Sequence, residues 1–84
     1  MFYVYIIRSI KFPKEHYVGY SEDLKERVKY HNNGYVKSTK HYKPLELIHY
    51  EAYRNMQDAK RREMYLKTNK GRTTLMTMLK EYFL

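Results

Sequence analysis

Three side chains of this 84-residue chain stand on helix faces that would ordinarily carry leucine or alanine, and all three suit proton transfer and phosphate chemistry. The segment Asp23 to Asn33 reads as a helix capped by Ser21 or Asp23. At about 100° per residue, Leu24 and Val28 mark its apolar face, with His31 between them and Arg27 at its edge. A second helix starts at the Asn55 and Asp58 capping pattern; its stripe is Met56, Ala59 and Leu66, and Glu63 falls inside that stripe. A guanidinium offers a planar fork to negative charge on a phosphate. An imidazole exchanges protons near neutrality. A carboxylate on a buried face must pair with a cation, bind a metal or stay protonated. The bland alternatives are that Arg27 carries its charge out to water, that His31 is a satisfied half-buried ring, and that Glu63 forms a buried ion pair with Arg27.

The elements that position these groups follow from the pattern around them. Phe2 to Ser9 alternates Tyr3, Tyr5 and Ile7 on one face with Phe2, Val4 and Ile6 on the other, so it reads as a central strand. Lys11 to Glu15, with Pro13, is a loop, and Tyr17 to Ser21 returns as the second strand of a hairpin. Tyr5 and Tyr17, twelve residues apart, are expected to be neighbours across it. Gly19 leaves room for another backbone or a ligand. Asn32, Asn33 and Gly34 end the first helix. Tyr35 to Lys43 is a basic loop containing Ser38, Thr39, Lys40 and His41; small hydroxyls beside a lysine can hold a phosphate, although the same composition suits a solvated loop. Leu45 to Tyr53 is a third strand, with Leu45, Leu47 and His49 expected on one face and Ile48, Tyr50 and Ala52 on the other. Gly71 is expected to stop the second helix, and Thr73 or Thr74 to cap a last one carrying Leu75, Met78, Leu79 and Tyr82.

Composition narrows the partners. Seventeen Lys and Arg against nine Asp and Glu give +8, enough to attract a polyanion by counterion release, and nucleic acid is the polyanion it points to. Residues 1 to 42 carry eight basic and four acidic groups and residues 43 to 84 nine and five, which describes a folded basic face and not a charged tail. Without cysteine there are no disulfides or thiolate metal sites, which suits a reducing interior. No apolar run approaches a membrane span and no signal pattern opens the chain, so a single cytoplasmic domain over residues 1 to 84 with no membrane partner is expected.

Tyr3, Val4 and Tyr5, followed by Tyr17, Val18 and Gly19, then Arg27 and a later helical Glu63, resemble the GIY-YIG nuclease family. The resemblance covers nearly the whole chain and is closest to stand-alone single-domain members, which share the Gly19-Tyr20-Ser21 start of the helix and a loop like Ser38 to Lys40. It implies an α+β fold with a small three-stranded antiparallel sheet flanked by three helices. It also implies a divalent cation, Mg²⁺ or Mn²⁺, and hydrolysis of phosphodiester bonds in DNA or RNA, with repair or recombination as a setting. Tyr5, Tyr17, Arg27, His31 and Glu63 match the family's catalytic positions, Glu63 being the metal ligand. Two departures stand out: Tyr3 replaces the first-motif glycine, and Asn69 lies too close to Glu63 to match the asparagine many members carry late in the domain. Affinity is expected to come from phosphate contacts by Lys25, Lys37, Lys40, Lys43 and Arg62, with Ser38, Thr39 and His41 in the same loop and exposed bases stacking on tyrosines. The competing function is a nucleic-acid-binding module that keeps the fold with weak or no catalysis.

Overall fold

A computed structural model describes residues 1–84. Strand β1 (Phe2–Ser9) lies at the centre of a three-stranded sheet, between β2 (His16–Ser21) and β3 (Leu45–Tyr53), and pairs antiparallel with both. Its double-sided apolar pattern requires that position, because both faces are covered. Tyr5, Ile7 and Leu45 pack beneath helix α1 (Leu24–Asn32) with Leu24, Val28, Tyr17 and Tyr42. Val4 and Ile6 pack on the other face with Ala59 and Leu66 of α2 (Met56–Leu66) and Leu75 of α3 (Asn69–Met78). Apolar burial on the two sides of one strand is the main cohesive term of this small domain. A short α4 (Lys80–Phe83) follows, and Arg8 spreads over its Tyr82 and Phe83 rings at 5.2 and 5.1 Å.

The local signals mostly act as their chemistry dictates. The Asp23 carboxylate caps α1 by accepting from Glu26 N–H, Asn55 caps α2 by accepting from Gln57 N–H, and Gly34 takes φ +79° just past the end of α1. The Asn32 amide does more than end a helix: it donates to the Leu45 carbonyl at 2.8 Å and accepts from Leu45 N–H at 2.7 Å, pinning α1 to the start of β3.

The hairpin register sets Tyr5 opposite Gly19 and Tyr17 opposite Ile7, so the two tyrosines are diagonal neighbours on one face, and Tyr17 packs on the Tyr5 and Ile7 cluster. Two expectations need correction. In β3, Ile6 pairs with His49 and Ile7 with Leu47, leaving Ile48 as a bulge. The extra residue inverts the alternation beyond it: His49 joins Ile48 on the Val4 and Ile6 side, while Tyr50 and Ala52 share the α1 face with Leu45 and Leu47. Finally, α2 ends at Leu66 without help from Gly71; Thr68 starts the next helix by accepting from Gly71 N–H at 3.0 Å. Gly71 is buried in the first turn of α3, where a β-carbon would collide with the Tyr65 carbonyl and Leu66 Cα. It is a crossing point between helices, not a stop.

Candidate active site

The edge strand β2 and the helices on either side of it enclose a cavity of about 750 Å³. One wall holds Tyr5, Tyr17, Gly19, Arg27 and His31 with Ser38 and Thr39; the other holds Lys60, Glu63 and Lys67 of α2 with Arg72 of α3. All five residues matched to catalytic positions therefore line one space.

Tyr5 is the centre of the first wall. Its ring is buried, 2% exposed, because Gly19 opposite it has no side chain: a β-carbon there would overlap the phenol's Cζ and oxygen. The glycine thus makes room for a side chain of its own fold, not for a second backbone. The Arg27 Nε–H donates to the Tyr5 hydroxyl at 3.2 Å, and that hydroxyl lies 2.7 Å from His31 Nε2. His31 Nδ1 lies 2.8 Å from Thr39 Oγ1, and both His31 and Thr39 are buried. The result is a hydrogen-bonded chain, Arg27 to Tyr5 to His31 to Thr39, that joins β1, α1 and the basic loop.

Burial, with the Arg27 charge beside it, pushes the His31 imidazole down to about 4. The ring is neutral at physiological pH, which corrects the expectation of a relay poised near neutrality. A neutral imidazole has one N–H, so the chain has two arrangements. In one, Tyr5 donates to Nε2 and Nδ1 donates to Thr39. In the other, Thr39 donates to Nδ1 and Nε2 donates to the phenol oxygen, which then receives N–H groups from both Arg27 and His31. Tyr17 differs: burial and the nearby Glu15 carboxylate both push its phenol above its ordinary value. Its ring leans on Tyr42, with centroids 5.9 Å apart.

Glu63 is not paired with Arg27. Its Oε2 accepts from Lys67 Nζ at 3.0 Å, one helical turn along α2, and its side chain is 19% exposed in the cavity wall. No group of three or more His, Cys, Asp or Glu side chains converges in the chain. A lone carboxylate with one oxygen making no hydrogen bond to the protein fits a hard cation whose remaining ligands are water and phosphate.

The expected binding residues are dispersed. Ser38 and Thr39 line the cavity. Lys37, Lys40, His41 and Lys43 are exposed on the loop and its short 3-10 turn, while Lys25 lines a separate depression with Tyr3 and Tyr50. Arg62 is drawn elsewhere: its Nε and Nη2 donate to the two Glu51 carboxylate oxygens at 2.9 and 3.2 Å, outside the cavity. Lys14, Lys60, Lys67 and Arg72, all cavity residues, went unmarked in the sequence. Lys60 and Lys67 lie three residues before and four after Glu63, so helical spacing already put them on its face.

A family model described as the GIY-YIG catalytic domain matches residues 1–77. The chain belongs to the GIY-YIG family, whose domain is of nuclease type. Among its relatives, a UPF0213 protein of Clostridium perfringens is 37% identical over 68 residues, covering 80% of this chain and 71% of that protein. A UPF0213 protein of Staphylococcus epidermidis is 43% identical over 53 residues, 62% of this chain and 65% of the relative. The UPF0213 protein YazA of Bacillus subtilis is 44% identical over 52 residues, 61% of this chain and 52% of the relative. No solved structure matches. No helix is long and apolar enough to cross a membrane.

Proposed function

We propose that this chain is a divalent-metal-dependent endonuclease that hydrolyses phosphodiester bonds in DNA or RNA. The observation that carries the reading is the Arg27 to Tyr5 to His31 to Thr39 hydrogen-bond chain opening into the same cavity as Glu63. A buried phenol held between a guanidinium and a neutral imidazole, on the wall of a cationic cavity, supports proton transfer at that wall. Glu63 would hold Mg²⁺ or Mn²⁺, which when bound polarises a phosphoryl oxygen and steadies the leaving oxygen.

Tyr5 is the group that takes the proton of the attacking water. A phenol takes a proton only as its anion, so the Tyr5 hydroxyl first releases its proton to solvent in the cavity. The phenolate oxygen then accepts N–H groups from Arg27 and, in the Nε2–H tautomer, from His31, and takes one proton from the attacking water. His31 stays neutral throughout, donating from Nε2 and accepting from Thr39 at Nδ1. Arg27 also presents its guanidinium to charge that develops on the phosphate. Tyr17, with a raised pKa, suits a hydrogen-bond donor to the substrate better than a base. Lys14, Lys60 and Arg72 supply cationic wall for the flanking phosphates.

The test is cleavage of single-stranded, duplex and branched DNA and RNA by the purified protein, with Mn²⁺ and with chelator. Metal-dependent cleavage of at least one substrate supports the reading. Tight binding of these strands with no cleavage under any metal supports the binding module instead.

A further inference from the structure

Beside the cavity mouth stands a pair of aromatic rings that neither face of the core uses. Tyr30 ends the outer side of α1, and after Gly34 turns the chain at φ +79° the backbone returns so that Tyr35 N–H donates to the Tyr30 carbonyl at 3.3 Å. The two rings then lie 5.1 Å apart between centroids, inclined by 57°. Both are open to solvent, Tyr30 by 44% and Tyr35 by 66%. Tyr30 also receives the Arg27 guanidinium, 5.3 Å from ring centroid to Cζ, and Arg27 is the residue bonded to Tyr5. Val36, next to Tyr35, already lines the cavity.

We infer that Tyr35, backed by Tyr30, is a stacking platform for an unpaired nucleobase next to the phosphate held in the cavity. The inference deepens the nuclease reading and rests on it for the identity of the ligand. From Arg27 to Leu45 the chain contains no carboxylate, while it carries Arg27, Lys29, Lys37, Lys40 and Lys43. A cation-bordered aromatic surface of that kind fits a nucleotide: the lysines meet the backbone and the ring meets a base face, whatever the base. A base within a duplex has its faces covered by its neighbours, so only a nucleotide freed from the stack, in a single strand, a flap or a gap, can use the platform. Tyr35 is therefore a positioning residue that selects for unpaired nucleotides, with Arg27 as the link between base recognition and the cavity.

The experiment measures binding in chelator, so it does not depend on cleavage. A single-stranded oligonucleotide carrying 2-aminopurine and the same sequence as a duplex are titrated with wild-type protein, Tyr35→Ala and Tyr35→Phe. Stacking predicts that the wild type quenches the single-stranded probe. Tyr35→Ala should lose that quenching and bind the single strand about tenfold more weakly, within the range of one base stacked on an aromatic ring. Tyr35→Phe should match the wild type within about twofold, and duplex affinity should stay within about twofold for all three. Equal losses for single strand and duplex, or unchanged quenching in Tyr35→Ala, would overturn the inference. A protein that never cleaves can still return the stacking result, so failure here and failure of the nuclease reading are separate outcomes.

Discussion

Gly19 and Tyr5 face one another across the β1–β2 ladder, and the glycine's missing β-carbon is the space in which the phenol sits. The second-motif glycine and the first-motif tyrosine are thus one steric unit. Gly19→Ala should push the ring away from Arg27 and His31, costing about 1–3 kcal/mol of stability, as overpacking of a filled core does. Cleavage should fall more than unfolding of the variant explains. Urea denaturation together with activity measured well below the transition separates the two losses.

Tyr5→Phe keeps the packing and removes the oxygen that joins Arg27 to His31. The buried His31 Nε2 then has no partner, a cost of about 1–3 kcal/mol. Loss of a proton-transfer group should lower kcat about 10²–10⁴-fold with little change in substrate affinity. Tyr17→Phe should cost less in kcat and show mainly in KM. Equal kcat losses in the two variants would remove the distinction between base and donor.

His31 makes stability depend on pH with a defined sign. Its folded pKa of about 4 lies below the ordinary 6.5, so between those values the unfolded chain binds the proton more readily. Its contribution is complete above pH 6.5 and is lost as pH falls toward 4. The full difference is about 3 kcal/mol. In urea titrations, wild type minus His31→Gln should decline across that window and be level above it. A difference that is flat with pH would place the imidazole in a solvated environment.

The sequence was most legible where one residue type serves one purpose. The alternation of Phe2 to Ser9 identified the central strand because both faces had to be covered, and Asp23, Asn55 and Gly34 marked helix ends through chemistry local to them. Of the candidate site, Arg27, His31 and Glu63 stood out because they broke an apolar pattern, whereas Tyr5 and Tyr17 were marked as catalytic positions by the family resemblance. What failed depended on distant partners. The bulge at Ile48 is set by the pairing with β1, the helix crossing at Gly71 by the end of α2, and the Arg62 direction by Glu51 on another element. Thr39 gave no signal of burial, because its partner, His31, lies on a neighbouring element.

The most direct measurement is the comparison of wild type with Glu63→Gln in paired assays of strand binding and Mn²⁺-dependent cleavage. Glutamine keeps the size and the helix while removing the charge a hard cation needs. Cleavage should fall by at least about 10³-fold, while affinity for the same strand in chelator stays within about threefold, since the cationic walls remain. Cleavage that persists at the wild-type rate would contradict the central claim that Glu63 and the Arg27–Tyr5–His31 wall form one metal-dependent active site.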